Sequence, residues 1–310
     1  MSFVETELKK MGYGISDAYN LPDSKHTFPD GAHYRIEIAG IEDPYSMDAC
    51  VEEADRRNVP IHRVIASVTG SNLLTNSEIT YICQVCREKG YELIINPAAS
   101  RSSDNGRQYV TPEGYVSGMR IRGMDALYYI LKDYERCLEL GVRGFLATDE
   151  SLLMILGQWR EKGIIPKDVV FKVSVFAGHG SPAGARMLKD MGADTFNPLA
   201  DLTLPMLASI RGAVNIPVDV YVSLVDAMGG FYRFSEAAEI ARIAAPVYFK
   251  FEPGRSEGEI YKTWVEPGYK SFLVREKIRQ AQCVMEWVER MNPSMICSRP
   301  APDDLRLPVV

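Results

Sequence analysis

Four short runs of this chain place charged residues at every second position: Tyr34-Arg35-Ile36-Glu37-Ile38, Phe171-Lys172-Val173-Ser174-Val175, Val218-Asp219-Val220-Tyr221-Val222-Ser223 and Tyr248-Phe249-Lys250-Phe251-Glu252. Successive side chains of a strand point to opposite faces. Arg35 therefore shares a face with Glu37, Lys172 with Ser174, Asp219 with Tyr221 and Ser223, and Lys250 with Glu252. The opposite face is Val, Ile and Phe, which suits an outer layer of helices. A buried charge is costly unless it is paired, so an enclosed face carrying both signs points to a chemical site. A lysine among apolar walls loses basicity and can serve as a base or a Schiff-base amine, which singles out Lys172 and Lys250. Glu37 and Glu252 would be neighbours if the first and last strands meet. Such carboxylates can share a proton, hold a divalent cation, or neutralise Arg35, Lys172 and Lys250. An ion-pair network filling the interior is the competing expectation, and it is compatible with catalysis.

The expected strand ends carry further polar groups: Asn96-Pro97, Thr148-Asp149-Glu150, Gly178-His179-Gly180, Asn197 and Glu252-Pro253-Gly254. His179, between two glycines, could act as an acid/base or a ligand. The connection 97–122 contains Arg101, Arg107, Arg120 and Arg122. Guanidinium forks pair bidentately with carboxylates and phosphates, and long loops are commonly lids or binding loops. Arg101, nearest the strand end, is the expected anchor for a small anionic substrate, unless these arginines are solvated surface charges. Asn96, Asn197, Tyr221 and Ser174 complete the expected substrate-binding set. With four histidines, a histidine-rich zinc site is not expected. No cofactor is required by the pattern. If a metal is bound, the expectation is Mg2+ or Mn2+ on Glu37, Asp149 and Glu252.

These residues need elements to hold them. Strands are expected at 34–39, 63–68, 91–96, 143–148, 170–176, 194–197, 217–224 and 247–252. Helix-like runs lie between them at 45–58, 76–89, 123–140, 150–162, 182–191, 203–213 and 234–243. Asn76 and Ser181-Pro182 carry helix-start chemistry. Alternation of strand and helix implies parallel strands with right-handed crossovers. Eight such units favour a closed (β/α)8 TIM barrel, an α/β fold, over an open doubly wound sheet. No glycine-rich nucleotide motif follows any strand. The expected organisation is an N-terminal helix and lead-in loop (1–33), one barrel (34–292) whose last helix begins near Lys270, and a Pro-rich tail (293–310). The tail is expected to be disordered or draped on a neighbouring subunit, which, with the lead-in, points to a homo-oligomer.

The 310 residues are 46% hydrophobic and 25% charged, with a net charge of -6. That is globular composition, and the interspersed charges leave no basic stripe for nucleic acid. Neither a secretory signal nor a membrane-length apolar run is present, so a cytoplasmic protein is expected. Of six cysteines, Cys83 and Cys86 form a CxxC inside helix-like sequence without a second pair, as expected of reduced structural thiols.

The run Phe171-Lys-Val-Ser-Val-Phe-Ala-Gly-His-Gly-Ser-Pro-Ala-Gly-Ala-Arg-Met-Leu-Lys-Asp-Met-Gly-Ala-Asp194, preceded by Gly141-Val-Arg-Gly-Phe-Leu-Ala-Thr-Asp-Glu-Ser-Leu-Leu153, resembles the U32 peptidase-like proteins over roughly residues 140–213. The resemblance implies a barrel catalytic domain and sets Ser174 and His179 at the matching strand end and loop. Asn197-Pro198-Leu199 stands where the family signature has Arg-Glu-Leu, and no cysteine follows until Cys283. The expected function is acid/base chemistry on a small polar anionic metabolite at the C-terminal mouth of the barrel. Glu37, Lys172, Lys250, Glu252 and His179 are the catalytic candidates, for a hydrolase of the U32 peptidase-like type. The alternatives are a Mg2+- or Mn2+-dependent carbon–carbon lyase, aldolase or epimerase, and a non-catalytic barrel used for binding or assembly.

Overall fold

The computed structural model describes residues 2–11, 15, 20–97, 120–262 and 264–309. Eight strands, β1 (Tyr34–Ile41), β2 (Arg63–Ala66), β3 (Glu92–Ile95), β4 (Gly144–Ala147), β5 (Val170–Val173), β6 (Thr195–Phe196), β7 (Val218–Ser223) and β8 (Val247–Phe251), close in sequence order into one barrel. Each strand pairs in parallel with the next, and β8 pairs with β1 through Glu37 opposite Lys250. The helices are α1 (Phe3–Lys10), α2 (Pro44–Arg57), α3 (Asn76–Lys89), α4 (Gly123–Glu139), α5 (Glu150–Glu161), α6 (Pro182–Asp190), α7 (Leu204–Ala213), α8 (Ala237–Ala244), the short α9 (Glu257–Ile260) and α10 (Pro267–Met291). The chain is a TIM barrel, as its alternating pattern implies. No described helix is long and apolar enough to cross a membrane.

Local chemistry sets the element ends. Thr75, rather than Asn76, caps α3: its hydroxyl accepts from Glu78 N while the Glu78 carboxylate accepts from Thr75 N, a reciprocal capping box. Gly90 ends α3 in the left-handed conformation at φ 71°, which glycine adopts without strain. β5 stops at Val173 because Ser174 caps a 3-10 turn, Val175–Ala177. Outward residues such as Ile36, Val64, Phe145, Phe171, Val220 and Phe249 join the helices in the main core. Inward apolar residues, Ala39, Ile65, Ile94, Leu146 and Val225, meet Ile260 and Tyr261 in a smaller cluster. The six cysteines are free, and Cys50, Cys83, Cys86 and Cys137 are buried.

The tail is ordered rather than loose, which corrects that part of the expectation. It folds under the N-terminal end of its own barrel. Cys297 bridges Tyr34 in parallel, and Ser298 N donates to Tyr34 O. Asp304 accepts from Arg35 Nη1 and Nη2 at 2.9 and 2.6 Å, and Ser298 Oγ accepts from Arg35 Nε at 2.8 Å. The Phe28 ring of the lead-in lies 3.9 Å from the Arg35 guanidinium carbon. The physical reason is Arg35 itself: a guanidinium 1% exposed needs a carboxylate, and the tail supplies one.

Candidate active site

The lumen is polar in its lower half. Arg63, at the start of β2, places Nη1 3.2 Å from Glu37 and 3.0 Å from Asp219, with Nε 2.6 Å from Glu92. Lys172 Nζ lies 2.5 Å from Asp219 Oδ2 and 3.1 Å from Glu37 Oε2. Thr195 Oγ1 lies 2.9 Å from both Asp219 oxygens. Glu37, Lys172 and Asp219 are wholly enclosed, so the network stands on mutual charge neutralisation. Burial pushes the Lys172 ammonium down, against the pull of Asp219 and Glu37. It pushes the Asp219 carboxyl up, against the pull of Lys172. The two thus move toward a shared proton. Glu37 ends below the usual carboxylate range: burial raises it, but Lys172, Arg63 and Lys250 together outweigh that. Its Oε1 has no hydrogen-bond partner among the described residues.

Above this network sits Lys250, 8% exposed. Its ammonium is 3.5 Å from Asn197 Oδ1 and 4.5 Å from the centre of the Tyr221 ring, and it makes no ion pair with any described residue. Asn197 is oriented by donating to Asp219 O at 2.8 Å. The Tyr221 hydroxyl makes no hydrogen bond among the described residues, and burial drives its pKa far up, so it stays a donor. Lys250, Tyr221 and Asn197 thus form one polar group.

Other expected site residues go elsewhere. Glu252 is tied to α10: Lys277 Nζ is 2.6 Å from Glu252 Oε1, and Tyr261 donates to the same carboxylate. Lys277 also donates to Ala39 O at 2.8 Å. Glu37 and Glu252 accordingly serve different cations rather than one another. His179 pairs with Glu150 on the rim, where Arg120 bonds Glu150 and donates to Ala177 O. The Glu150 carboxyl lies below its usual range; burial raises it, and Arg120 and His179 overcome that. Asp149 caps α5 through Ser151 N. Ser174 Oγ accepts from Phe176 N, and Asn96 Nδ2 donates to Val68 O; both hold loops. Arg101 lies outside the described residues. Among the described residues, no three His, Cys, Asp or Glu side chains come together as a metal site. The structure does not assemble Glu37, Asp149 and Glu252 as the Mg2+ or Mn2+ ligands of the metal alternative.

Arg63, Glu92 and Lys277 were not expected in the lumen or at its mouth. The first two open their strands, where a charge reads as a boundary. Lys277 sits in Arg275-Glu276-Lys277-Ile278-Arg279, which reads as solvated helix. Its signal lay in spacing: Lys270, Leu273, Lys277, Ile278, Ala281, Val284 and Val288 form one buried stripe of α10, at the i, i+3, i+4, i+7 period of a core-facing helix.

No protein-family model matches this chain, and no curated protein matches it by sequence. Solved structures do. The YdjI aldolase from Escherichia coli K12 aligns at 10% identity and TM-score 0.50, over 85% of this chain and 94% of that one. A D-psicose 3-epimerase aligns at 12% and 0.47, over 81% and 99%. A U32 peptidase aligns at 16% and 0.42, over 76% and 98%. What the aldolase comparison establishes is the shared barrel. Barrels of one architecture host unrelated chemistries, so function is argued from the residues.

Proposed function

We propose that this protein is an enzyme that takes a small anionic carbonyl compound at the C-terminal mouth of its barrel and promotes proton transfer beside the carbonyl, as lyases, aldolases and epimerases do. One observation carries the proposal: Lys250 sits near the C-terminal end of a polar lumen and makes no ion pair with a carboxylate among the described residues. A cation so placed stabilises the oxyanion that develops when a proton leaves an adjacent carbon. Tyr221 donates to the same oxygen, and Asn197 fixes the ammonium. The neutral Arg63–Glu37–Lys172–Asp219 network beneath keeps the lysine's surroundings from drifting in charge. Amide hydrolysis of the U32 type has less support. Ser174 and His179 are engaged with Phe176 and Glu150 and make no hydrogen bond to each other.

The test is solvent deuterium exchange at the carbon beside the carbonyl of pyruvate and other short 2-oxo acids, followed by proton NMR. Wild-type protein is expected to catalyse exchange of at least one, and Lys250→Met to lose about 10²–10³-fold, the usual loss on removing an oxyanion donor. Exchange unaffected by Lys250→Met would sink the proposal, as would no exchange of any oxo acid by wild type. Borohydride trapping with mass spectrometry separates the covalent version, in which the Lys250 amine condenses with the carbonyl and releases water.

A further inference from the structure

A cavity of about 240 Å³ opens between the turns after β1 and β2, the segment after α9 and the start of α10. None of its lining residues belongs to the Lys250 group. Its walls are rich in acceptors whose capacity is not exhausted. Glu42 Oε1 accepts from Val68 N at 2.6 Å and Oε2 from Thr69 Oγ1 at 3.1 Å. This fixes the carboxylate plane and leaves a lone pair on each oxygen. Ser67 also lines the cavity; it is 2% exposed, sits at φ 51°, and its hydroxyl has no hydrogen-bond partner among the described residues. The donors nearby each have a partner other than Glu42 or Ser67. Lys270 Nζ lies 2.5 Å from Asp43 Oδ2, the Tyr261 hydroxyl is given to Glu252, and Lys262 lies over the Trp264 ring. A buried hydroxyl without a partner is costly, and a ligand N–H that reaches both the Ser67 oxygen and the Glu42 carboxylate would satisfy it. The other wall carboxylates are engaged, Asp43 by Lys270 and Glu78 by Thr75, so Glu42 is the carboxylate that a positive ligand would meet.

We infer that this cavity binds a small primary ammonium group, held between the Glu42 carboxylate and the Ser67 hydroxyl. The inference does not depend on the function proposed for Lys250. It carries a pH signature, because burial pushes the Glu42 carboxyl up to about 7, against the Val68 and Thr69 hydrogen bonds and the pull of Lys277. Lys277 and Lys270 face it from α10, Tyr261 and Lys262 from the segment after α9, Asp43 from the cap of α2 and Glu78 from α3. The ammonium selects the ionised carboxylate, so binding weakens as pH falls below 7 and expels a proton from Glu42.

Isothermal titration of the full chain with ethylammonium chloride, beside ethanol as the neutral partner, tests this at pH 6 and pH 8. Ethylammonium is expected to bind about tenfold more tightly at pH 8, the ratio of ionised carboxylate for a group titrating near 7. Proton release should be visible at pH 6 as a heat that varies with the buffer. Ethanol should bind at least tenfold more weakly. Glu42→Gln should remove the pH dependence and most of the affinity, whereas Lys250→Met should leave both. Equal binding of ethanol, pH-independent binding, loss on Lys250→Met, or no binding of ethylammonium at millimolar concentration would each overturn the inference. The wild-type pH ratio and the ethanol comparison decide it even if Glu42→Gln does not fold.

Discussion

Lys172 and Lys250 are the same residue type at the same kind of position, mid-strand with a polar neighbour two residues on, and the sequence treats them alike. Their surroundings do not. Lys172 lies between Glu37 and Asp219 with no exposure, whereas Lys250 faces Asn197 and an aromatic ring. Removing one partner of a buried ion pair leaves an uncompensated charge and costs about 3–5 kcal/mol. Lys172→Met is therefore expected to lower the urea midpoint sharply, by that order, since Arg63 alone would then face Glu37 and Asp219. Lys250→Met is expected to lower it far less while reducing the proposed exchange activity by about 10²–10³-fold. Equal losses of stability from the two variants would contradict this division of the lumen into a structural floor and a reactive upper group.

At the scale of elements, β1 must pass close beneath α10, and Gly40 is where it does. Its φ is 90°, and a Cβ there would lie 2.8 Å from Lys277 Nζ and 2.9 Å from the Tyr261 ring. Gly40→Ala combines left-handed strain with overpacking, so a loss of about 2–4 kcal/mol is expected, along with displacement of Lys277 from Glu252. Gly163→Ala is the control, because its φ is 71° but the space around it is open; it should cost only about 1–2 kcal/mol of backbone strain. Thermal unfolding of the pair reads the difference, and equal losses would mean that the contact with α10 carries no weight. Most elements were legible beforehand, since helix periodicity, capping residues and strand alternation are local properties. β6 is short, Thr195–Phe196, and its extent depends on hydrogen bonds to β5 and β7 that local sequence does not encode. Arg63 and Glu92 escaped notice because a charge opening a strand looks the same whether it faces water or a barrel lumen.

At the scale of the whole molecule, the tail closes the barrel floor over His62. The ring Nδ1 accepts from Ile36 N at 3.0 Å, so Nε2 carries the proton and donates to Ser298 O and Arg299 O. Protonation would destroy the acceptor inside a closed site. Burial first, then the neighbouring Arg35, lowers the His62 pKa to about 4, against about 6.5 for an unfolded histidine. Between these values the unfolded chain binds a proton that the native one refuses. The stability contributed by neutral His62 is therefore complete above pH 6.5 and is lost as pH falls toward 4, by roughly 3 kcal/mol. Denaturation at pH 7 and pH 4.5 should show this slope, and His62→Gln, which keeps an acceptor and a donor, should flatten it. A slope unchanged by His62→Gln would place the acid sensitivity elsewhere.

Periodicity and alternation along the chain were sufficient for eight parallel strands, their order, and an inward face bearing Glu37, Lys172, Asp219 and Lys250, because each of these follows from which side of a strand a residue occupies. Which of those charges meet was decided by barrel closure, which brings Arg63 against residues 26 and 156 positions away and sets Lys250 apart with Asn197. Lys277 reached Glu252, and Asp304 reached Arg35, only through tertiary packing. Partner choice among buried charges depends on distances across the fold, and no stretch of sequence contains them.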